Sequence, residues 1–499
     1  MPKRILLVEP AYKTKYPPLG LMKLAAYHRI KGDEVVFVRG KNAETLSRKW
    51  DRIYISSLFT YTWKETVATI NYYKDYYGPN ASISRNLGKI YVGGILATLM
   101  KEDLERETGV IVVSGLLKGE NKKIINPDDD IIIDELPPDY SILKQVEIGL
   151  FKYDCTDAYL GYSTRGCVRK CGFCAVRTLE PQYVPYIDIK EMIGAIAKYG
   201  SQEKKDLILM DNNVLASKDF GRIIDDIVAA GFGKNATFGN GKGKKRRVDF
   251  NQGLDARLLT EDKMKKLAEI NLDPMRLAFD DVSQKDTYIK GVRLAHKYGQ
   301  SSMSNYILYN YKTDTLADFY ERLKINIDLN EEFKSSATRT AIYSFPMRYI
   351  PLTAKDRSVE TGNPHWNKRY LRGVKLILNV MKGPVMPGQE FFYQAFGLDA
   401  AELRKILLMP DEFIRLRLVP NWRKIPDHRK RMQPYVVKWY EVFDKASEAT
   451  INQLTAILSE NDLEKTKVVY NTTEDANLKK LLGFHLGSKI LIKKYGKTT

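Results

Sequence analysis

The sequence predicts an α/β protein in which a doubly wound parallel sheet precedes further strand–helix units and a mainly helical C-terminal region. Three observations support this. Short apolar runs alternate with amphipathic stretches over residues 1–140, the alternation resumes over 154–352, and helical patterns dominate 353–499. A chain of 499 residues is long enough for several separate cores, and we predict three domains with these borders.

The first domain has five predicted strands joined by helical stretches. The strands are at 4–8, 34–38, 52–56, 89–92 and 110–113, and the clearest helices are at 19–30 and 64–77. This order is typical of a flavodoxin-like or Rossmann-like doubly wound sheet, which binds ligands at the carboxyl ends of its strands. The corresponding loops are 9–18, 57–63, 93–94 and 114–120.

The two later domains differ in their periodicity. Strands of the second domain are predicted at 159–162, 207–210, 248–252, 276–279, 304–309 and 341–345. Helices of the third domain are predicted at 367–381, 400–408, 436–458 and 475–482. The second domain is therefore expected to consist of six strand–helix units.

Three of the four cysteines, Cys167, Cys171 and Cys174, follow the first strand of the second domain with the spacing Cys-x3-Cys-x2-Cys. Soft thiolates suit iron–sulfur clusters, and three of them can ligate three irons of a 4Fe–4S cluster and leave the fourth iron open. Gly166 and Gly172 allow the backbone to turn tightly between them. The pattern predicts a 4Fe–4S cluster.

A structural zinc site is the alternative for these cysteines. Such sites usually have cysteine pairs and four ligands, and no histidine or further cysteine follows closely here. The remaining cysteine, Cys155, fits a buried apolar position better than ligation. Four cysteines are too few for a disulfide framework, so we expect a reducing compartment.

The cysteine spacing, with aromatic Phe173 before the last cysteine, resembles the radical SAM superfamily. The resemblance implies a partial (β/α)6 radical SAM barrel over 154–352 and a cluster whose open iron binds S-adenosylmethionine. It also implies an enzyme that cleaves this cofactor to a 5′-deoxyadenosyl radical, with Phe173 near the adenine. An electron donor such as flavodoxin or ferredoxin is a further implied partner.

Polar residues follow the predicted barrel strands. S-adenosylmethionine has a ribose diol, an α-amino group and a carboxylate, which require carboxylate, amide and cationic partners. The residues that we place in or near its pocket are Asn212, Gln252, Asp255, Arg257, Asp280 and Asn310. A helix cap or a supporting salt bridge is the alternative for each, and Asp281 is expected to be a cap. Arg348 or Tyr349 could lie over the substrate entrance.

The domain order resembles the radical SAM subgroup with an N-terminal cobalamin-binding domain. Segments 16–28, 31–35 and 91–94 are typical of those domains, and 114–120 matches in part. The Asp-x-His-x-x-Gly motif, which supplies an axial histidine in many cobalamin proteins, is absent. His28 lies in a predicted helix, where we expect it to belong to the packed or the exposed face rather than to bind cobalt. The resemblance leaves cobalamin binding open.

The chain is strongly basic, with a formal net charge of +19 and a pI near 9.3. Lysine and arginine crowd into 239–247 and 422–431. These segments could bind a polyanion such as nucleic acid. A solvated basic face without a partner is the alternative.

No apolar run is long enough for a membrane span or a signal peptide, so we expect a cytoplasmic protein. We predict a radical SAM enzyme that functionalises C–H bonds, by cobalamin-assisted methylation or rearrangement if cobalamin binds, with nucleic acid as one candidate substrate. One alternative is an enzyme of small-molecule or lipid metabolism without functional cobalamin. The other is a non-catalytic iron–sulfur protein.

Overall fold

The computed structural model describes residues 2–14, 16–75, 88–147, 151–198, 202–239, 243–417 and 427–495. The chain forms two compact units. The first comprises Met1–Arg276 and Ile350–Val359, and the second comprises Leu277–Tyr349 and Glu360–Thr499. The division into domains 1–140, 154–352 and 353–499 stays a prediction.

The first unit begins with a five-stranded parallel sheet. Its strands are β1 (Arg4–Glu9), β2 (Glu34–Arg39), β3 (Arg52–Ser57), β4 (Ile90–Gly94) and β5 (Ile111–Val113). They lie in the order β2-β1-β3-β4-β5, and every neighbouring pair is parallel. This is the flavodoxin-like order, so the predicted doubly wound fold is confirmed.

The helices that follow these strands bury an apolar face against the sheet. They are α1 (Leu19–Ile30), α2 (Trp63–Asp75), α3 (Ile95–Leu99), α4 (Lys101–Thr108) and α5 (Glu120–Ile125). One core contains Trp50, Trp63, Ile70 and Leu96 with the inner residues of β1, β3 and β4. Removal of this apolar surface from water is the main force that fixes the helices on the sheet.

A second sheet of the first unit is parallel and three-stranded. Its strands are β6 (Ala158–Gly161), β7 (Asp206–Leu209) and β10 (Val248–Phe250), in the order β10-β7-β6. Its helices are α6 (Val176–Leu179), α7 (Ile189–Lys198), α8 (Phe220–Ile227) and α9 (Glu261–Leu267). A short antiparallel hairpin, β8 (Thr237–Phe238) with β9 (Lys244–Lys245), precedes β10. The strand ends of β6, β7 and β10 carry the candidate site.

The remaining three predicted strands form another three-stranded sheet, in the order β11-β12-β13. They are β11 (Met275–Ala278), β12 (Ser302–Tyr309) and β13 (Ala341–Arg348), and β12 pairs with β13 in parallel along its full length. All six strands predicted for the second domain therefore exist near their predicted positions, and they are distributed over two sheets. Helices α10 (Lys285–Lys297) and α11 (Leu316–Phe333) connect the strands of the second unit.

The rest of the second unit is helical, as predicted. Its helices are α12 (Lys368–Val380), α13 (Gln389–Phe396), α14 (Ala400–Leu408), α15 (Asp411–Arg417), α16 (Asp427–Asp444), α17 (Glu448–Glu460), α18 (Leu463–Thr472) and α19 (Ala476–Tyr495). They pack around a core that includes Leu403, Phe413, Trp439 and Leu481. Among the described helices, none has both the length and the apolar composition of a membrane span.

One predicted helix of this region is wrong. Residues 436–458 form parts of two helices, because Ser447 caps the second by accepting a hydrogen bond from the backbone N–H of Thr450 at 3.1 Å. A serine at this position satisfies one of the free N–H groups at a helix start. The apolar pattern continues across the break because both helices bury the same core.

Candidate functional site

The three cysteines lie in a loop between the end of β6 and α6. Their side chains are partly exposed. The start of the loop is fixed by paired hydrogen bonds between Arg165 and Val184, at 3.0 and 2.9 Å. Gly166, just before the first cysteine, has φ +74°, and a Cβ there would lie 2.4 Å from the carbonyl oxygen of Gln182. Only glycine permits this close approach.

A buried carboxylate holds the segment between β6 and the cysteines. Asp211, which follows β7, is fully buried and accepts hydrogen bonds from the backbone N–H and hydroxyl groups of Ser163 and Thr164, including 2.6 and 2.7 Å bonds from the two hydroxyls. Burial raises the pKa of Asp211, against the lowering effect of these hydrogen bonds. The network anchors the loop to the neighbouring strand.

A second carboxylate, Glu180, follows α6 and holds Gly166, the residue before the first cysteine. One of its oxygens accepts hydrogen bonds from the backbone N–H of Gly166 at 2.6 Å and from the Asn212 side chain at 2.9 Å. Its other oxygen pairs with Arg165 at 2.7 Å, and both of these side chains are only 9 % exposed. The Arg165 guanidinium lies over the Tyr162 ring, 3.9 Å from its centroid.

Hydrogen-bond donors surround two of the thiols. Cys167 Sγ lies 3.3 Å from the backbone N of Arg169 and 3.5 Å from Nδ2 of Asn213. The Arg257 guanidinium hydrogen-bonds Asp255 and lies near Cys171, and its pKa is raised by the Asp255 hydrogen bond first and by Cys171 to a smaller extent. Such donors stabilise negative charge on sulfur.

Asp255 connects these donors. Its carboxylate accepts from Arg257 Nε at 2.7 Å, from Arg169 Nε at 2.9 Å and from Asn213 Nδ2 at 3.4 Å. Burial acts to raise the pKa of Asp255, but the hydrogen bonds from Arg257 and Arg169 lower it overall. The carboxylate is therefore ionised at neutral pH and holds all three donors beside the cysteine loop.

The three cysteine thiols suit a 4Fe–4S cluster. Among the described residues, no three His, Cys, Asp or Glu side chains converge as the ligands of a single metal ion do. In a 4Fe–4S cluster each thiolate ligates a different iron, so the sulfurs need not meet at one point. Three partly exposed thiols on one loop, two of them beside hydrogen-bond donors, fit that requirement.

Four of the residues predicted from sequence lie in the first unit, in addition to the cysteines and Phe173. Asp255 and Arg257 lie beside the cysteine loop, whereas Asn212 contacts Glu180. Gln252 is exposed and its amide donates to Asn251 at 3.3 Å. Phe173 is partly exposed within the loop. Its placement near adenine, like the S-adenosylmethionine contacts of the others, stays a prediction.

Asp280 and Asn310 lie in the second unit, where both side chains support local structure. Asp280 accepts a hydrogen bond from the backbone N–H of Leu308 at 3.3 Å. Asn310 is buried with φ +66°, and its side-chain oxygen accepts from the Thr361 hydroxyl at 3.0 Å. The predicted cap at Asp281 is confirmed, because its carboxylate accepts from the backbone N–H of Ser283 at 2.9 Å.

Sequence reasoning missed three side chains of the site: Glu180, Asp211 and Asn213. Asp211 and Asn213 flank the predicted Asn212 in an Asp-Asn-Asn sequence after β7, which was a usable signal. Glu180 lies beyond the motif, and nothing in the sequence indicates its contact with Gly166.

His28 is buried inside the first sheet domain, so it belongs to the packed rather than the exposed face of its helix. Its Nδ1 lies 2.7 Å from Asp33 and its Nε2 lies 3.1 Å from the Tyr54 hydroxyl, so both ring nitrogens have partners. Burial lowers its pKa to about 4. Cys155, in contrast, is not fully buried: it is partly exposed and has φ +63°, because it lies in the turn before β6.

The basic segment 239–247 is only partly a free cationic surface. Lys244 and Lys245 are exposed in the hairpin, but Arg246 is buried against Phe232 and pairs with Glu203, and Arg247 pairs with Asp206 at 2.9 Å. Residues 240–242, which include Lys242, lie outside the described residues. In the segment 422–431, residues 422–426 and the side chains of the remaining residues also lie outside the described part of the chain.

These features define a class of protein: an α/β enzyme with a three-cysteine loop at the strand ends of a parallel sheet. Residues 162–323 match the sequence model of the radical SAM superfamily, a segment that contains all three cysteines. This segment, about a third of the chain, is similar to a radical SAM domain, and the match indicates an enzyme with a 4Fe–4S cluster and S-adenosylmethionine as cofactors. No curated protein matches the sequence significantly.

Solved structures give weaker similarities. The radical S-adenosylmethionine methyltransferase TsrM from Kitasatospora setae, with cobalamin and a [4Fe-4S] cluster bound, is 14 % identical with a TM-score of 0.48 over 71 % of this chain and 77 % of that chain. Streptococcus suis SuiB bound to S-adenosylmethionine is 13 % identical with a TM-score of 0.28, over 45 % of each chain. These values are too low to carry over ligands or reactions.

Proposed function

We propose that the chain cleaves S-adenosylmethionine reductively and uses the resulting radical to functionalise a C–H bond of its substrate. The observation that carries the proposal is the cysteine loop within the matched segment, with donors at two of its sulfurs. Cys167, Cys171 and Cys174 would hold the cluster, which supplies the electron for the cleavage when it is bound. The proposed setting is the cytoplasm, with a flavodoxin or ferredoxin as electron donor.

The residues beside the loop support a binding site for S-adenosylmethionine. Arg257 offers a partly exposed cation next to Cys171, suited to a carboxylate, and Asp255 keeps that guanidinium in place with hydrogen bonds of 2.7 and 3.1 Å. Asn212, Gln252 and Phe173 remain candidate contacts. The local contacts of Asp280 and Asn310 favour structural roles for those two side chains.

Cobalamin-assisted methylation is the first candidate for the reaction after radical formation, and a cobalamin-assisted rearrangement is the second. Support comes from the flavodoxin-like strand order and from Gly93 and Gly94 at the carboxyl end of β4. Because both nitrogens of His28 are engaged, we propose that any cobalamin binds without an imidazole from that residue.

A small-molecule substrate is favoured over nucleic acid by the ion pairs of Arg246 and Arg247, which reduce the free positive charge of segment 239–247. Nucleic-acid binding would show a steep salt dependence. A filter-binding titration of RNA and DNA at rising salt tests this, and affinity in the micromolar range or better at physiological salt would reverse the preference.

Anaerobic reconstitution tests the proposed function. Wild-type protein should bind about four irons and four sulfides per chain, and after addition of dithionite it should convert S-adenosylmethionine to 5′-deoxyadenosine and methionine. Cys167→Ala, Cys171→Ala and Cys174→Ala combined should abolish both, whereas Cys155→Ala should abolish neither. A full cluster without cleavage would support the non-catalytic alternative, and one zinc per chain would contradict the cluster.

A further inference from the structure

We propose that Asn213 raises the reduction potential of the cluster by donating a hydrogen bond from its side-chain amide to Cys167, with Asp255 as the residue that orients the amide. This inference rests on the proposed function, since it needs a cluster on Cys167. It assigns a role to a residue that the cysteine motif does not include.

The geometry places the amide between a sulfur and a carboxylate. Asn213 Nδ2 lies 3.5 Å from Cys167 Sγ and 3.4 Å from Oδ2 of Asp255. Asn213 is 2 % exposed, so water has little access to its side-chain amide. The backbone of the same residue is fixed separately, because its carbonyl oxygen accepts a hydrogen bond of 3.1 Å from the Tyr183 hydroxyl.

Asp255 determines which end of the amide faces the sulfur. If the amide were rotated by half a turn, its oxygen would face both the ionised carboxylate and the thiolate, and three negative or partly negative atoms would meet. In the observed orientation, Oδ1 is buried and has no hydrogen-bond partner among the described residues. A buried polar atom without a partner is unfavourable by roughly 1–3 kcal/mol. The amide therefore keeps this orientation because the rotated one would be worse.

The effect on the reduction potential follows from the negative charge that the cluster gains on reduction. One-electron reduction by a low-potential reductant adds one negative charge to the cluster and its thiolates, and no proton or leaving group is involved. A donor hydrogen bond to a ligating sulfur stabilises the state with more negative charge and so raises the potential. The contact is partly buried, so solvent screens it less than it would at the surface.

The three cysteines differ in these contacts. Cys167 receives hydrogen bonds from the Asn213 amide and from the backbone N–H of Arg169, whereas the Arg257 guanidinium lies near Cys171. Asn213 is the only one of the three donors that can lose its hydrogen bond by a near-isosteric change of a neutral side chain. It is therefore the position at which the effect of one donor can be measured separately.

The test is a redox titration of reconstituted protein without S-adenosylmethionine, monitored by the electron paramagnetic resonance signal of the reduced cluster. Asn213→Leu removes the donor, and Asn213→Asp keeps the shape while placing a carboxylate beside the sulfur. We expect the midpoint potential to fall in the order wild type, Asn213→Leu, Asn213→Asp. The matched control is Gln182→Leu, which removes an exposed amide from the segment after α6 and should leave the potential unchanged.

Iron content distinguishes the failure of this inference from the failure of the proposed function. If wild-type protein binds no 4Fe–4S cluster, the proposed function itself is wrong. If the Asn213 variants carry a full cluster with the wild-type potential, the inference is overturned. Should Asn213→Leu fail to fold, the near-isosteric Asn213→Asp decides alone, because an unchanged or higher potential in that variant contradicts the inference.

Discussion

The carboxylate of Glu180 accepts a hydrogen bond of 2.6 Å from the backbone N–H of Gly166, the residue directly before the first cysteine. The same side chain pairs with Arg165 in a buried contact. Glu180 thus holds both the backbone of Gly166 and the guanidinium of Arg165 at the start of the loop. These tertiary contacts hold the start of the loop in place.

We therefore expect Glu180→Ala to lower both stability and iron content. Removing one partner of a buried ion pair costs about 3–5 kcal/mol, because the other charge stays buried. Chemical denaturation of the apo protein measures the first effect and iron analysis after reconstitution the second. Glu180→Gln keeps an oxygen for Gly166 and should be milder. The control is Glu191→Ala on the exposed start of α7, and equal iron content in both alanine variants would contradict the prediction.

The pH dependence of stability should depend on Glu9, at the carboxyl end of β1. Burial raises its pKa from 4.5 to about 7, while the hydrogen bond from Tyr153 and the charge of Arg39 act in the opposite direction. A raised pKa means that the folded state favours the protonated carboxyl. This stabilisation is present below about pH 4.5 and is lost as the pH rises through about 7.

The expected loss is roughly 3 kcal/mol, from about 1.4 kcal/mol for each pH unit of the shift. Urea unfolding between pH 5 and pH 8 measures it. Glu9→Gln, which stays neutral and can still bond with Tyr153, should flatten the dependence and unfold at higher urea than wild type at pH 8. An unchanged slope in that variant would show that other groups govern the dependence.

Gly94 should be intolerant of a side chain. Its φ is +106°, and a Cβ would lie 2.1 Å from the carbonyl oxygen of Ser57 on the neighbouring strand. Gly94→Ala should therefore destabilise the protein by about 1–3 kcal/mol, through backbone strain and steric overlap. The matched control is Gly20→Ala in α1, where nothing lies within 4 Å of the added Cβ and alanine favours the helix. Thermal unfolding of both variants tests the prediction: the melting temperature should fall in Gly94→Ala and should not fall in Gly20→Ala.

Cobalamin, if it binds, should show no nitrogen ligand from His28. The ring nitrogens of this residue are held by Asp33 and Tyr54 in the interior of the sheet domain. We expect the Co(II) electron paramagnetic resonance spectrum of the complex to lack nitrogen superhyperfine splitting and to be the same in His28→Ala. Nitrogen splitting that disappears in His28→Ala would mean that the histidine leaves its buried position and binds cobalt.

Much of the architecture follows from the sequence because it depends on local periodicity. Helix α1 has the predicted bounds, Leu19–Ile30, and the strands of the first sheet differ from prediction by one or two residues. Alternating apolar runs and helices permit few arrangements other than a parallel sheet. The cysteine spacing is equally local, since three ligands of one cluster can come from a single loop.

The sequence by itself thus determined the kinds of elements, their order and the cysteine motif, because each depends on residues that are close along the chain. Only the tertiary structure decided which side chains face the sulfurs. Asn212 and Asn213 are chemically identical neighbours, yet one contacts Glu180 and the other contacts Cys167. Successive residues after a strand point in different directions, and their partners come from loops 32 and 46 residues away in sequence.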